Sequence, residues 1–297
     1  MSIKVAVIRG GPSPEYEISL KTGANILSLL RRWEGKYDPI DIFISKEGEW
    51  HRDGLSRYPQ EVLSGADVVW NALHGHYGED GQVQKLLEYL GIPYTGSGAE
   101  ASARSYDKEV AKIAYRRHAL LVPRHELFTS DSLTNERLIH VVRNYLHPVI
   151  VKPASGGSSI GTKLAHGLLE LKDAIRDALK YSKKVLVEEF EGGREATCGV
   201  VEGMRGEKLY AMIPVGDTTP EENERIVEMA KLAHQALGLK HYSTSDFIVS
   251  PKGKIYILET DSLPVFHEDS AMHQSLLSTA VKPHDFADHC ITLALGK

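Results

Sequence analysis

Apolar runs and helical stripes alternate along the first hundred residues. Val5–Ile8 is a short continuous apolar run, and after a Gly/Pro-rich stretch Ile18, Ala24, Ile26, Leu27 and Leu30 recur at helical spacing. Further apolar runs at Ile40–Ile44 and Val68–Leu73 precede a second stripe at Val83, Leu86, Leu87 and Leu90. Strand–helix units of this length predict a doubly wound parallel sheet, with ligand-facing loops after Ile8 and Leu73 at the carboxyl ends of strands.

The pattern then changes. A region opening at Gly96–Ala103 leads to a helix through Lys108, Ala111, Ile113 and Ala114, a strand near Pro123–Phe128, a helix around Leu138–Tyr145, a strand from Val149 into Lys152 and a helix over Leu168–Leu179. Strands at Val185–Glu189, Ala196–Val201 and Leu209–Ile213 begin a third region. Its helix carries Ile226, Met229, Ala230, Ala233 and Leu237 on one side, a stripe that reads as core packing rather than a partner surface. Ser243–Ser250 and Lys254–Thr260, separated by Pro251-Lys252-Gly253, read as a hairpin. The expected division is 1–100, 101–184 and 185–297.

Composition narrows the class. A chain of 297 residues that is 42% hydrophobic can bury a substantial core, and a net charge of -5 gives no support for nonspecific nucleic-acid binding. Two cysteines, Cys198 and Cys290, are too few for a disulfide framework. The start enters a strand pattern without the apolar segment of a secretory signal, and no apolar run approaches bilayer-spanning length, so a soluble cytoplasmic protein is expected.

Candidate chemistry lies in three places. The run from Lys152 through Gly156-Gly157-Ser158-Ser159 to Gly161 joins a strand lysine to a loop whose N–H groups and hydroxyls can wrap an anion; a solvated surface turn has the same composition. Asp246, Glu259 and Asp261 converge if the last two strands pair, offering hard oxygen ligands suited to Mg2+; a solvated acidic face is the alternative. Lys108 adds a further cation, and Glu15 near a helix start is also read as a dipole-favoured carboxylate. His267 beside Glu268 and Asp269, and His74-Gly75-His76, read as loop or helix-start residues more readily than as metal sites. Gly10-Gly11 lacks the G-x-G-x-x-G spacing of a dinucleotide fold.

In order along the chain, Gly10-Gly11-Pro12-Ser13-Pro14-Glu15, Ala72-Leu73-His74-Gly75, Gly78-Glu79-Asp80-Gly81, Gly91-Ile92-Pro93-Tyr94-Thr95-Gly96-Ser97, Asp107-Lys108, Glu188-Glu189-Phe190 and Gly193-Arg194-Glu195 form a pattern. That pattern resembles the D-alanine–D-alanine ligase branch of the ATP-grasp family, from Lys4 through at least Ser270. The resemblance implies an N-terminal α/β domain followed by two α+β lobes that grasp ATP. Lys108, Lys152 and Ser159 would serve the phosphates. Glu188, Glu189, Phe190 and Glu191 would form the adenine linker, Glu191 presenting a backbone group rather than its side chain, and Glu195 would meet the ribose. Asp246, Glu259 and Asp261 would hold Mg2+, with Mn2+ as a substitute. Glu15, His74 and Ser158 would surround a first D-alanine, with Glu15 and Ser158 in the catalytic network, and Ser270 would contact the second substrate. The implied reaction is phosphoryl transfer to a carboxylate followed by amine attack on the acyl phosphate, in peptidoglycan assembly, by a protein whose relatives commonly form homodimers.

Three departures bear on the acceptor side. Thr244-Ser245-Asp246 stands where the family carries Arg-x-Asp, Leu263-Pro264-Val265-Phe266 replaces Leu-Pro-Gly-Met, and residues 211–219 are a short connection where relatives carry a long loop with a lysine and a tyrosine. The function expected is an ATP-dependent carboxylate–amine ligase acting on small carboxylates and amines, D-alanine among the candidates. An ATP-binding relative with weak or lost ligase chemistry is the alternative.

Overall fold

The computed structural model describes residues 2–296. The chain opens with β1 (Ile3–Gly10), α1 (Tyr16–Arg31), β2 (Tyr37–Ile44), β3 (Trp50–Arg52), β4 (Leu55–Arg57), α2 (Pro59–Val62), β5 (Val68–Asn71) and α3 (Gln82–Leu90). Here β1 is flanked in parallel by β2 and β5, and the β3–β4 hairpin extends the sheet antiparallel, giving the order β4-β3-β2-β1-β5. Alternate residues of β1 face opposite cores. Val5 and Val7 pack with Ile26, Leu27 and Leu30 of α1, while Ala6 and Ile8 pack with Val83 and Leu87 of α3. Helices on both faces make the sheet doubly wound and explain why Val5–Ile8 is continuously apolar. The strand ends at Gly10 with φ +94°, where a Cβ would lie 2.2 Å from the Ile44 carbonyl oxygen. Only glycine fits both the conformation and the gap.

The chain continues through α4 (Ala99–Tyr106), α5 (Lys108–Arg117), β6 (His125–Phe128), α6 (Asn135–Asn144), β7 (Val149–Pro153), β8 (Lys163–Ala165), α7 (Leu168–Ala178) and β9 (Val185–Glu189). Asp107 separates α4 from α5, and its carboxylate caps α5 by accepting from the N–H groups of Glu109 and Val110. An antiparallel sheet in the order β6-β9-β7-β8 is backed by α6 and α7.

The remaining elements are β10 (Arg194–Glu202), β11 (Leu209–Ala211), β12 (Val215–Gly216), α8 (Pro220–Leu237), β13 (Tyr242–Val249), β14 (Ile255–Asp261), α9 (Ala271–Ser278) and α10 (Pro283–Ala294). They build a sheet in the order β11-β10-β13-β14, with β12 also pairing to β10. The short 211–219 connection is thus partly a strand. A Thr219/Glu222 capping box with Pro220 in the first turn starts α8, whose apolar stripe covers β10 and β13.

Sheet membership divides the chain at a different point from the expected 184. Because β9 lies between β6 and β7, the change of sheet falls between Glu189 and Arg194 rather than at 184. In addition, Ala111 and Tyr115 of α5 join the core beneath β10, β13 and α8, so the second region is split between two lobes. Sequence order says where strands are, not which sheet admits them. Among the described residues no helix is long and apolar enough to cross a membrane.

Candidate functional site

The loop after β7, the start of α5 and the ends of β10 and β14 enclose a cavity of about 220 Å³ between the second and third sheets. Lys108, Lys152, Ser159, Glu195 and Glu259 line it together with Leu258, so five of the residues singled out in the sequence line one cavity. Across the Gly156-Gly157 loop lies a second cavity, of about 280 Å³, lined by Glu15, Tyr106 and Tyr181 among others.

Cations and carboxylates are paired in and behind the walls of this cleft. Lys108 Nζ lies 2.9 Å from Glu259 Oε2 and donates to the Gly156 carbonyl at 2.6 Å. Burial works to lower the Lys108 pKa, but Glu259, with Asp261 and Glu79, raises it on balance. Lys152 Nζ lies 3.0 Å from Glu188 Oε2, and Lys112 Nζ lies 3.1 Å from the other Glu188 oxygen. Burial alone would raise the Glu188 carboxyl; the two ammoniums instead hold it at about 2. Glu188, expected at the start of an adenine linker, is the next-to-last residue of β9, with its side chain buried behind Lys152 and outside the cavity lining. Glu189 accepts from the Leu146 N–H, Phe190 is exposed and Glu191 is half-buried, and none of the three lines the cavity.

The hairpin brings the three expected carboxylates together. Asp246 faces Glu259 across the β13–β14 register, and Asp261 lies two residues on, opposite Thr244. Burial and then Glu259 push Asp246 up to about 6; Asp261 is raised well above the usual carboxylate range by burial, then Glu259, Glu79 and Asp246. Such crowding fits a divalent cation by charge and by donor type. Among the described residues, however, no group of three His, Cys, Asp or Glu side chains is arranged to hold a metal. Glu259 is drawn onto Lys108, and Asp246 accepts from Thr197 Oγ1 at 2.5 Å.

On the other side of the loop, Ser158 Oγ donates to Glu15 Oε1 at 2.6 Å. His74 is buried, 2.8 Å from Thr22 Oγ1 and 3.4 Å from Glu79 Oε1, and desolvation lowers its pKa to about 4. His76 is exposed and contacts Gln82 instead. Ser270 lies at the start of α9. As N-cap of α9 its oxygen accepts from the His273 N–H, and its hydroxyl donates to the His267 carbonyl. Thr244 is buried in β13, and Phe266 is buried against Phe286, with Asn25 of α1 donating to its carbonyl. Lys112 and Glu79 escaped the sequence reading. Lys112 sits one turn beyond Lys108, and Glu79 belongs to the Gly78–Gly81 block without a role assigned to it.

The family descriptions "D-ala D-ala ligase C-terminus" and "D-ala D-ala ligase N-terminus" match residues 115–217 and 204–292, and 54–97, respectively. The chain is 36% identical to D-alanine–D-alanine ligase B of Chromobacterium violaceum, over 88% of each chain. It superposes on the D-alanine–D-alanine ligase structure from Coxiella burnetii with a TM-score of 0.90 at 24% identity, covering 99% of this chain and 96% of that one. A D-Ala:D-Ser ligase from Enterococcus faecalis gives 0.86 at 25% identity, covering 99% and 100%.

Proposed function

Because this chain belongs to the D-alanine–D-alanine ligase family of ATP-dependent carboxylate–amine ligases, we propose that its cleft binds Mg2+-ATP and joins a small carboxylate, D-alanine first among the candidates, to an amine. The observation that carries this reading is the single cavity lined by Lys108, Lys152, Ser159, Glu195 and Glu259. Two lysines and a serine on a glycine loop suit a polyphosphate, and Glu195 near the start of β10 suits a ribose hydroxyl. Asp246, Glu259 and Asp261 would hold the metal, Glu259 exchanging Lys108 for the cation. Bound there, Mg2+ would offset phosphate charge.

The donor carboxylate oxygen attacks the γ-phosphorus and ADP leaves. The amine then attacks the acyl carbon, phosphate leaves, and the nitrogen sheds a proton. The Ser158–Glu15 pair beside the second cavity would orient the donor's ammonium and keep the loop closed over the mixed anhydride. Thr244 supplies no charge where the family carries arginine, and Val265 stands where the family carries a glycine whose backbone approaches the acceptor, so an altered acceptor is part of this reading. A D-alanyl product would belong to cell-wall precursor synthesis.

A screen of ATP consumption over paired amino acids, D-alanine alone included, with mass analysis of every product tests this. An ATP-dependent conjugate is expected. ATP binding without release of ADP for any pair would instead favour a nucleotide-binding relative that has lost ligation.

A further inference from the structure

A lysine removed from water is retained only where something neutralises it in place, and Lys112 is such a lysine: its side chain is wholly buried. Apart from the 3.1 Å ion pair to Glu188 Oε1, its Nζ has no hydrogen-bond partner among the described residues. Glu188, 2% exposed, is held at its other oxygen by Lys152 at 3.0 Å. Of the three, only Lys152 lines the nucleotide cavity.

The charge count gives the arrangement a purpose. Two ammoniums and one carboxylate carry a net charge of about one positive unit, whereas Lys152 and Glu188 alone would cancel and present phosphates with a dipole. A packing role by itself would be filled better by an apolar side chain. We propose that Lys112 is a positioning residue of the nucleotide site: it neutralises Glu188 from behind, so that Lys152 meets the phosphates of ATP as an uncancelled cation. The assignment rests on the ATP reading above. It adds a residue that never touches the nucleotide.

Calorimetric titration of the full chain with Mg2+-ATP, with circular dichroism as the check on folding, decides it. Lys112→Met is expected to bind ATP about tenfold more weakly and with a shallower dependence on ionic strength. The double variant Lys112→Met/Glu188→Gln, which removes the cancelling carboxylate as well, is expected to recover most of the lost affinity. A lysine serving only the fold would not produce that recovery. Should the single variant not fold, the double variant carries the comparison with wild type. Unchanged affinity in folded Lys112→Met, or a double variant that binds as weakly as the single one or tenfold more weakly than wild type, overturns the proposal alone. Absence of ATP binding by the wild-type protein overturns the nucleotide reading itself and the proposal with it.

Discussion

Ser158 Oγ donates to Glu15 Oε1 at 2.6 Å, tying the glycine-serine loop of the second sheet to the first loop of the N-terminal domain. Ser158 and Ser159 both take positive φ, 50° and 55°, so the loop is held in a conformation that serine adopts reluctantly. Ser158→Ala should lower kcat/KM for the donor carboxylate by about ten- to a hundredfold, while unfolding stability changes by only about 1 kcal/mol. Steady-state kinetics alongside urea unfolding separates the two effects.

Lys152 and Glu259 face one cavity from different lobes. Lys152→Ala is expected to raise the KM for ATP at least about tenfold. Glu259→Ala should mainly reduce Mg2+-dependent turnover, because it removes a carboxylate from a set that a metal would share. Unchanged ATP affinity and turnover in either variant would contradict the role given to that residue.

Gly10 is a structural requirement of the parallel sheet. A methyl group there would meet the Ile44 carbonyl at 2.2 Å with φ at +94°. Gly10→Ala should therefore destabilise the fold by about 2–4 kcal/mol or prevent folding, and thermal unfolding measures it.

Phe266 is wedged between the N-terminal and last helices, its ring 5.1 Å from that of Phe286. Phe266→Ala should cost about 3–5 kcal/mol in denaturant unfolding. A loss under 1 kcal/mol would mean the ring is not the core element its burial implies.

His74 gives stability a pH dependence. Burial lowers its pKa from 6.5 to about 4, so between those values the unfolded chain binds a proton that the folded chain refuses. Stability should fall by about 2–3 kcal/mol as pH drops from about 6.5 to about 4, with no further loss from this group below that range. Unfolding curves taken through the window, compared with those of His74→Gln, isolate the histidine.

Much of this was legible in the chain. The β13–β14 hairpin follows from two apolar stretches around Pro251-Lys252-Gly253, and it brings Asp246 opposite Glu259 as expected. The β3–β4 hairpin was not legible, because Leu55–Arg57 is exposed throughout and leaves no apolar alternation. Lys112 looks in sequence like an ordinary surface charge, and only its 3.1 Å ion pair with Glu188 of β9 shows the two as a buried pair. Nor does the sequence show that the Ser270 hydroxyl caps α9. Residue type survives in sequence; the partner that claims it does not.

Isotope transfer tests the proposed ligation most directly. With a donor amino acid carrying 18O in its carboxylate, an acyl phosphate requires one labelled oxygen to leave on the released phosphate. Mass analysis of phosphate from a turnover with Mg2+-ATP and the preferred amine is predicted to show that single 18O. Phosphate released with no 18O, while ADP accumulates, would mean that water rather than the carboxylate takes the phosphoryl group, and would contradict the account.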